Sequence, residues 1–285
     1  MRRLTYENSR GESIVFYLSP FSIDSLTGIG EVDAELQSQR APGQDGDTHI
    51  DTVLLPRFIN LEGEIIETDA TKVKDYRHQL SRVCNPKLGD GFLIYENDGV
   101  KREIKAIPEH VPTFPDSRRT RYKLAQIDLL CPGPFWLTEE QVEQLVVWEG
   151  GLEFPLQLPT EFARQSQNKA KILLNDGDVE TPIFVTFAGP ATSPITVINK
   201  TTGKFIRVNQ DLLVGEKLEI NTAFGQKRVT KVLADGTKQN AFHFITLDST
   251  FFNLIQGNNL IDYSTGADYE RAAVSITWRH RYVGV

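Results

Sequence analysis

The residue types that most often carry catalysis or metal binding are present in this sequence, but their spacing matches few known sites. The five histidines (His49, His78, His110, His243 and His280) are scattered, and only His49 lies two residues from a carboxylate, that of Asp51. Segments 45–47 and 175–178 resemble fragments of calcium loops, but both lack the remaining ligands and the closing glutamate. No nucleophile elbow, phosphate loop or His-Glu-x-x-His motif occurs. The sequence therefore predicts a protein that is not an enzyme and uses no cofactor or metal.

The cysteines and tryptophans offer two further kinds of chemistry. Cys84 and Cys131 are too few for a disulfide framework and too far apart for a zinc-ligand spacing, so we expect free thiols in a reducing cytosol. The three tryptophans (Trp136, Trp148 and Trp278) would form a platform for stacking on sugars if they were exposed. Trp278, however, shares one strand face with Val274 and Ile276, which favours burial in a core.

The composition and net charge of the chain argue against several classes of protein. The chain has 285 residues, of which 40 % are apolar, and its 31 basic and 38 acidic side chains give a net charge of −7. This composition predicts folded domains rather than disorder, and the acidic balance argues against a protein that grips nucleic acid. The densest basic run, 118–123, is interpreted as a solvated face. No apolar run approaches the length of a membrane span, so we expect a soluble protein made in the cytoplasm.

Short strands separated by turns dominate the pattern. Residues 91–95 and 100–107 flank an Asp98-Gly99 turn and are typical of a hairpin. Segments 195–199 and 204–208 repeat the arrangement, residues 217–221 and 227–233 add strands, and 241–247 is predicted as a further strand. Alternation of side chains from Val274 to Tyr282 has the period of two expected of a strand.

One helix interrupts this β pattern. Between Asp69 and Cys84 the apolar positions recur every three or four residues, so they line one face of a helix. Asp69 or Thr71 supplies the N-cap, and Asn85-Pro86 ends the helix because proline disfavours a helical residue before it. Such a helix covers a sheet or contributes to an interface, and we keep both alternatives. The candidate interface residues of this helix are Val73, Tyr76, Arg77, Leu80 and Val83.

A change of domain is predicted after residue 137. Pro132, Gly133 and Pro134 cannot lie in a regular central strand. Segment 138–141 has the spacing of a helix capping box, whereas 145–148 is typical of a strand, so the local structure stays open. The predicted organisation is a first domain over 1–137, a linker over 138–152 and a second domain over 153–285.

With the strands placed, the sequence resembles the distal tail proteins of long-tailed bacteriophages, a siphovirus tail-component family. The resemblance spans nearly the whole chain and depends on motifs that occur in family order. In the first half the motif is Cys131-Pro132-Gly133-Pro134-Phe135-Trp136. In the second half the motifs are 154–160 with Phe162, 199–203, 215–218, 251–254, Gly257-Asn258-Asn259 and Trp278-Arg279-His280-Arg281-Tyr282-Val283-Gly284-Val285. Within these motifs the candidate structural residues are Cys131, Pro132, Pro134, Phe135, Trp136, Gly257, Asn259, Trp278, Arg281 and Tyr282.

The resemblance implies a mainly β protein. The N-terminal domain is expected to be a tail-tube-like β-barrel or sandwich with one helix, which closes into a homo-hexameric ring. The C-terminal domain is expected to be a galectin-like β-sandwich. The helix over 69–84 falls where the family places its belt helix.

The same resemblance implies a structural hub of the virion tail tip or baseplate. The hub joins the tail tube protein to the tail-associated fibre or lysin protein and to receptor-binding proteins. DNA passes through the ring without specific binding, no membrane is involved, and assembly takes place in the host bacterial cytoplasm. The alternative is a carbohydrate-binding module of the phage tail for host recognition. A wall-degrading enzyme is a more distant rival.

Overall fold

The computed structural model describes residues 2–115, 122–145, 148–149, 164–165, 170–266 and 272–285. Of the segments singled out in the sequence, 154–162 and most of the basic run 118–123 lie outside these residues. The chain divides into two units. Unit 1 comprises residues 1–139 and 282–285, and unit 2 comprises residues 140–281. Gln141–Gln144, within the predicted linker, form a strand of unit 2, because they pair with Ala273–Trp278.

The described residues of unit 1 form one helix and a set of antiparallel strands. These are β1 (Arg3–Glu7), β2 (Ser13–Phe16), β3 (Phe21–Thr27), β4 (Ala34–Gln39), β5 (Thr48–Leu54), β6 (Arg57–Ile66), α1 (Ala70–Val83), β7 (Gly91–Asn97), β8 (Val100–Pro108), β9 (Tyr122–Cys131) and β10 (Trp136–Leu137), with a 3₁₀ turn at Pro86–Leu88. The main sheet has the order β2-β1-β7-β8-β9-β6-β3. Its described strands form an open sheet rather than a closed barrel, since the order starts at β2 and ends at β3.

Alternating side chains build the core of unit 1. In β6 the buried residues are Arg57, Ile59, Leu61, Gly63 and Ile65, while the residues between them are more exposed. The predicted hairpin is confirmed as β7 and β8, whose turn residues Asp98 and Gly99 have φ values of 49° and 84°. Both values lie in the left-handed region that a tight turn of this kind requires.

The predicted helix is also confirmed. Asp69 is its N-cap and accepts a hydrogen bond from the backbone N–H of Thr71 at 2.8 Å. Leu80, Val83 and Cys84 are buried in the core of unit 1, so the helix covers its own sheet. Its exposed side chains are polar or charged, among them Lys74, Asp75 and His78.

Unit 2 is a β-sandwich. Its strands are β11 (Gln141–Gln144), β12 (Trp148–Glu149), β13 (Arg164–Gln165), β14 (Lys171–Asn175), β15 (Thr181–Ala188), β16 (Ile195–Asn199), β17 (Lys204–Val208), β18 (Lys217–Asn221), β19 (Arg228–Val232), β20 (Lys238–Asn240), β21 (Asn253–Leu254), β22 (Gly257–Ser264) and β23 (Ala273–Trp278). Strand β24 (Arg281–Tyr282) leads from unit 2 into unit 1. One sheet has the order β11-β23-β15-β18-β19-β20 and the other β14-β22-β16-β17.

A single core cluster joins the two sheets of unit 2, with Phe187 and Ile276 from the first and Val197 and Ile261 from the second. The mainly β architecture is therefore confirmed. The predicted strand over 241–247 is wrong: β20 ends at Asn240, and a 3₁₀ turn, Phe242–Phe244, follows it. The carboxamide oxygen of Asn240 accepts a hydrogen bond from the backbone N–H of Phe242 at 2.9 Å, which turns the chain away from the sheet.

Candidate assembly site

The hairpin formed by β4, β5 and the loop 40–47, called the arm here, has no core of its own. Every residue of β4 and all but the last of β5 are exposed. Leu36, Ile50 and Val53 are 68 %, 60 % and 45 % exposed. An isolated two-stranded hairpin is at best marginally stable in water. The arm is therefore suited to contact another molecule, and the sequence analysis did not identify it.

The helix residues that were predicted to form an interface are not part of the arm and pack within unit 1. Val73, Leu80 and Val83 are buried. The Tyr76 ring packs edge-on against Phe21 with a centroid distance of 5.5 Å. The Arg77 guanidinium lies 5.1 Å from the ring centre of Phe114. These five predicted residues are thus engaged within unit 1, and a ring contact through the helix would have to use its charged outer side.

Arg57 is the centre of a buried cluster of backbone carbonyls, called the arginine cage here. The side chain is fully buried. Its guanidinium donates to the carbonyls of Gly28 at 2.8 Å, Glu31 at 2.7 Å, Pro134 at 3.0 and 3.1 Å, and Val283. All five N–H groups of an arginine are used by this arrangement. Burial lowers the pKa of Arg57, whereas the nearby Glu31 carboxylate favours the charged form.

The cage connects three stretches of chain that are far apart in sequence. One is the loop at Gly28, whose φ is +83° and where a Cβ would overlap the carbonyl oxygen of Phe58, so only glycine fits. The second is the segment at Pro134, and the third is the segment at Val283. Pro134 belongs to the motif over 131–136 and Val283 to the motif over 278–285, and Arg57 brings both together in unit 1.

A second arginine fixes the segment 282–285. The Arg102 guanidinium lies 3.7 Å from the centre of the Tyr282 ring, a cation–π contact, and it also donates to the Gly284 carbonyl. Tyr282 and Val285 pack against the core of unit 1. The indole N–H of Trp136, which is fully buried, donates to the Ile29 carbonyl at 3.0 Å.

The remaining residues of the first motif support the same region. Cys131 is buried in the core, Phe135 is half-buried, and Pro132 is exposed on the turn between β9 and β10. Two of the three tryptophans, Trp136 and Trp278, are buried and offer no platform for a sugar. The side chain of Trp148 lies outside the described residues.

In unit 2 the motif residues converge on a buried amide pair, called the asparagine cluster here. Asn199 and Asn259 are both fully buried, and Nδ2 of Asn199 donates to Oδ1 of Asn259 at 3.1 Å. Asn259 also donates to the carbonyls of Ile255 at 2.7 Å and Gly257 at 3.0 Å, and accepts from the Ile255 N–H at 3.0 Å. The two motifs thus close the turns next to β16 and β22.

The other predicted residues of unit 2 also have structural contacts. Gly257 has a φ of +86° at the start of β22. The indole N–H of Trp278 donates to the Leu174 carbonyl at 3.2 Å. The Arg281 carbonyl accepts from the Asp178 N–H at 2.8 Å, and burial lowers the pKa of Arg281.

The two thiols are free, as predicted. Burial raises the pKa of both Cys84 and Cys131 to about 12, so neither is a thiolate near neutral pH. Within the described ranges, no three His, Cys, Asp or Glu side chains are grouped as a metal site would require. In the same part of the chain, no helix is long and apolar enough to cross a membrane.

Two family profiles match the sequence, in the order of the two units. The profile described as phage tail protein RIFT-related domain matches residues 9–131, and the profile described as siphovirus-type tail component, C-terminal domain, matches residues 176–282. The chain belongs to the siphovirus-type tail components. No curated protein matches the sequence.

Solved structures have the same fold as this tail component. The crystal structure of the Dit protein of phage SPP1 superposes with a TM-score of 0.69 at 12 % identity and covers 98 % of each chain. It is described there as a paradigm of the hub of the adsorption apparatus in phages that infect Gram-positive bacteria. A chain of the phage P2 baseplate, in its activated conformation with calcium, gives a TM-score of 0.50 at 9 % identity over the full length of both chains.

Unit 2 of this tail component should lose stability as the solution becomes acidic. Burial lowers the pKa of His280, against the opposing effect of the Asp176 carboxylate. Its Nδ1 accepts a hydrogen bond from the Asp176 N–H at 3.1 Å, which requires an unprotonated nitrogen. Since the unfolded chain takes up the proton more readily, this contribution to stability is complete above about pH 6.5 and falls as the pH decreases through the lowered folded-state pKa.

Urea denaturation of unit 2 between pH 5 and pH 8 measures this effect. Substitution of His280→Gln keeps an acceptor for the Asp176 N–H but removes the titration. The unfolding free energy of the parent should increase relative to that of the variant as the pH rises from 5 to 8. A difference that is constant with pH would contradict the assignment.

Proposed function

We propose that this tail component is the structural hub of a long-tailed phage tail tip or baseplate. In this proposal the chain forms a homo-hexameric ring between the tail tube and the tail-associated, receptor-binding proteins, and the ring lets DNA pass. The observation that carries it is the presence of both family domains in one chain, together with a fold shared with SPP1 Dit over 98 % of each chain. The proposal gives the chain no catalytic reaction and no cofactor. It places the chain in the virion after assembly in the host cytoplasm.

The arm supports self-association. In the arm, Leu36 lies opposite Thr52 and Ala34 opposite Leu54, so these four side chains share one face. Glu35, Val53 and Asp51 lie on the other face. In a head-to-tail interface, the apolar face of the arm would contact a different surface of the next copy. Such an interface closes into a ring when the rotation between neighbouring copies divides the full circle evenly.

The net charge of −7 supports passage of DNA. A ring of six copies is strongly acidic overall, and a phosphate backbone is not retained by a surface that repels it. In a gel-shift assay at physiological salt, the assembled protein should not retain duplex DNA. Stable retention would contradict this part of the proposal.

Ring formation is tested on the full chain by light scattering and negative-stain imaging. The parent should give rings with a mass near six times 32.1 kDa. The double variant Leu36→Glu/Ile50→Glu should remain monomeric, because charged side chains at these two exposed apolar positions of the arm cannot be buried without a large desolvation cost. Its melting temperature should stay at that of the parent monomer, since both side chains are exposed.

Val111→Glu, which changes an exposed apolar residue of unit 1 outside the arm, is the matched control and should still form rings. A parent chain that stays monomeric at every concentration, both alone and with the tail tube protein of its phage, would refute the hub. If the double variant formed rings, only the role of the arm would be refuted, not the hub proposal.

A further inference from the structure

A groove of about 520 Å³ lies on the outer face of unit 2. It is called the outer groove here, and its lining comes from β18, β19, β20 and the segments that flank them. Its lining includes Glu219, Lys227, Arg228, Thr230, Asn240 and Phe242. None of them belongs to the motifs that carried the family resemblance, and the arm and the arginine cage lie in unit 1.

The strand register places the polar side chains in one row. Glu219 pairs with Thr230, and Thr230 pairs with Asn240, so these three residues project from the same face on consecutive strands. The opposite face of the same strands carries Leu218 and Val229 into the core. The polar row is therefore held on a rigid sheet, which favours a preorganised binding surface.

The outer groove is cationic on an acidic protein. Lys227, Arg228 and Lys238 line it, and Glu219 is the opposing charge. The ammonium group of Lys238 lies 3.2 Å from a carboxylate oxygen of Glu219, so the charges of these two side chains compensate each other. Among the described residues, the guanidinium of Arg228 has no ion-pair partner. An exposed arginine fork and a neighbouring lysine suit a carboxylate or phosphate group.

An aromatic wall stands beside these charges. The Phe242 ring stacks on Phe251 with a centroid distance of 5.8 Å and an interplanar angle of 10°. Phe242 is nevertheless 45 % exposed. The ammonium group of Lys227 lies 5.8 Å from the centre of the Phe251 ring, which keeps the cation next to the aromatic pair.

We propose that the outer groove binds an anionic saccharide. The apolar face of a sugar ring would stack on the exposed face of Phe242, and its carboxylate or phosphate would pair with Arg228 and Lys227. Glu219 and Thr230 supply acceptors for sugar hydroxyls, and Nδ2 of Asn240 supplies a donor. This binding activity goes beyond the hub function and does not depend on ring formation.

The mixture of groups favours a saccharide over an acidic peptide. A strand-like peptide would bind along the edge of β20, where the backbone groups lie, but the groove opens on the face of the sheet and is lined by side chains. A simple anion would gain nothing from a carboxylate such as that of Glu219. A sugar that carries both hydroxyl donors and a negative group uses every polar group in the row.

The test is isothermal titration of the full chain with defined probes. The anionic probes are tetragalacturonic acid and glucose 6-phosphate, which separate carboxylate from phosphate recognition. The neutral probe is cellotetraose, and a decapeptide of glutamate represents an acidic peptide. We expect binding of at least one anionic sugar, weaker binding at high salt, and little binding of cellotetraose.

Two variants locate the site. Arg228→Gln should weaken binding of the anionic sugar about tenfold, and Phe242→Leu should weaken it to a similar degree. Lys204→Gln removes an exposed cation of β17, away from the groove, and should change nothing. Thermal melts of all variants establish that unit 2 remains folded.

The proposal is overturned if no saccharide binds at millimolar concentration, if the neutral sugar binds as well as the anionic ones, or if only the peptide binds. It is also overturned if both groove variants bind like the parent. The oligomeric state of the same samples is recorded separately, so failure of the hub proposal is distinguishable from failure of this one.

Discussion

Replacement of Arg57 by methionine should lower the free energy of unfolding of unit 1 by about 3–5 kcal/mol, because several carbonyls lose their donor at once. Methionine approximates the length of the arginine stem but provides none of its five donors. The carbonyls of Gly28, Glu31, Pro134 and Val283 would then lose their shared partner inside a buried site. Each buried acceptor left without a partner costs about 1–3 kcal/mol, reduced where water can enter.

Hydrogen–deuterium exchange followed by mass spectrometry measures this change in each unit separately. Protection should fall in the peptides of unit 1 around residues 28–31, 134 and 283, while those of unit 2 keep their protection. Arg57→Lys should recover only part of the loss, because one ammonium group cannot reach all four carbonyls. Arg10→Met removes an exposed arginine of the same unit and should change stability by less than about 0.5 kcal/mol. Equal stability of the Arg57→Met variant and the parent would contradict the role of the cage.

The second large effect is expected at Asn259, in the core of unit 2. Asn259→Leu preserves the approximate volume but removes two donors and an acceptor from a fully buried position. The amide of Asn199, the carbonyls of Ile255 and Gly257, and the Ile255 N–H would all lose a partner. We expect unit 2 to lose about 3–5 kcal/mol, since several buried polar groups become unsatisfied at once.

Asn258→Leu is the matched control, because the preceding asparagine is exposed and the substitution is chemically identical. Its effect should stay within about 0.5 kcal/mol. Urea denaturation of both variants, with exchange in peptides of β16 and β22 as a local readout, separates the two outcomes. If the two variants were equally stable, the asparagine cluster would not be what closes these turns.

Much of the fold was predictable because its signals are local. The helix has a cap at Asp69 and a stop at Asn85-Pro86, and the β7–β8 hairpin has an Asp-Gly turn. The strand that ends at Trp278 alternates strictly between core and outer face. Each of these features depends on residues that are neighbours in the sequence, so periodicity and turn chemistry suffice to identify them.

The features that sequence reasoning missed either have a weak local pattern or depend on contacts between distant residues. The arm is an exposed hairpin with no face buried in a core, so the alternation that marks a strand is weak along residues 34–39. Arg57 carries no pattern that predicts burial, because its partners lie 26 to 226 residues away in the chain. The strand predicted over 241–247 contains five apolar residues out of seven. Its backbone nevertheless forms a 3₁₀ turn, in which the Phe242 N–H donates to the side-chain oxygen of Asn240.

The return of residues 282–285 to unit 1 has a consequence for biosynthesis. Unit 2 is in effect inserted into unit 1, and it is the continuous stretch 140–281. During synthesis, all residues of unit 2 leave the ribosome before the last residues of unit 1. The Val283 carbonyl, which accepts a hydrogen bond from Arg57, is added 226 residues after Arg57. Limited proteolysis of ribosome-bound chains of increasing length would follow this order. A chain that stops early within unit 2 therefore carries an unfinished unit 1, and only copies translated past residue 283 bring a completed N-terminal domain to tail assembly.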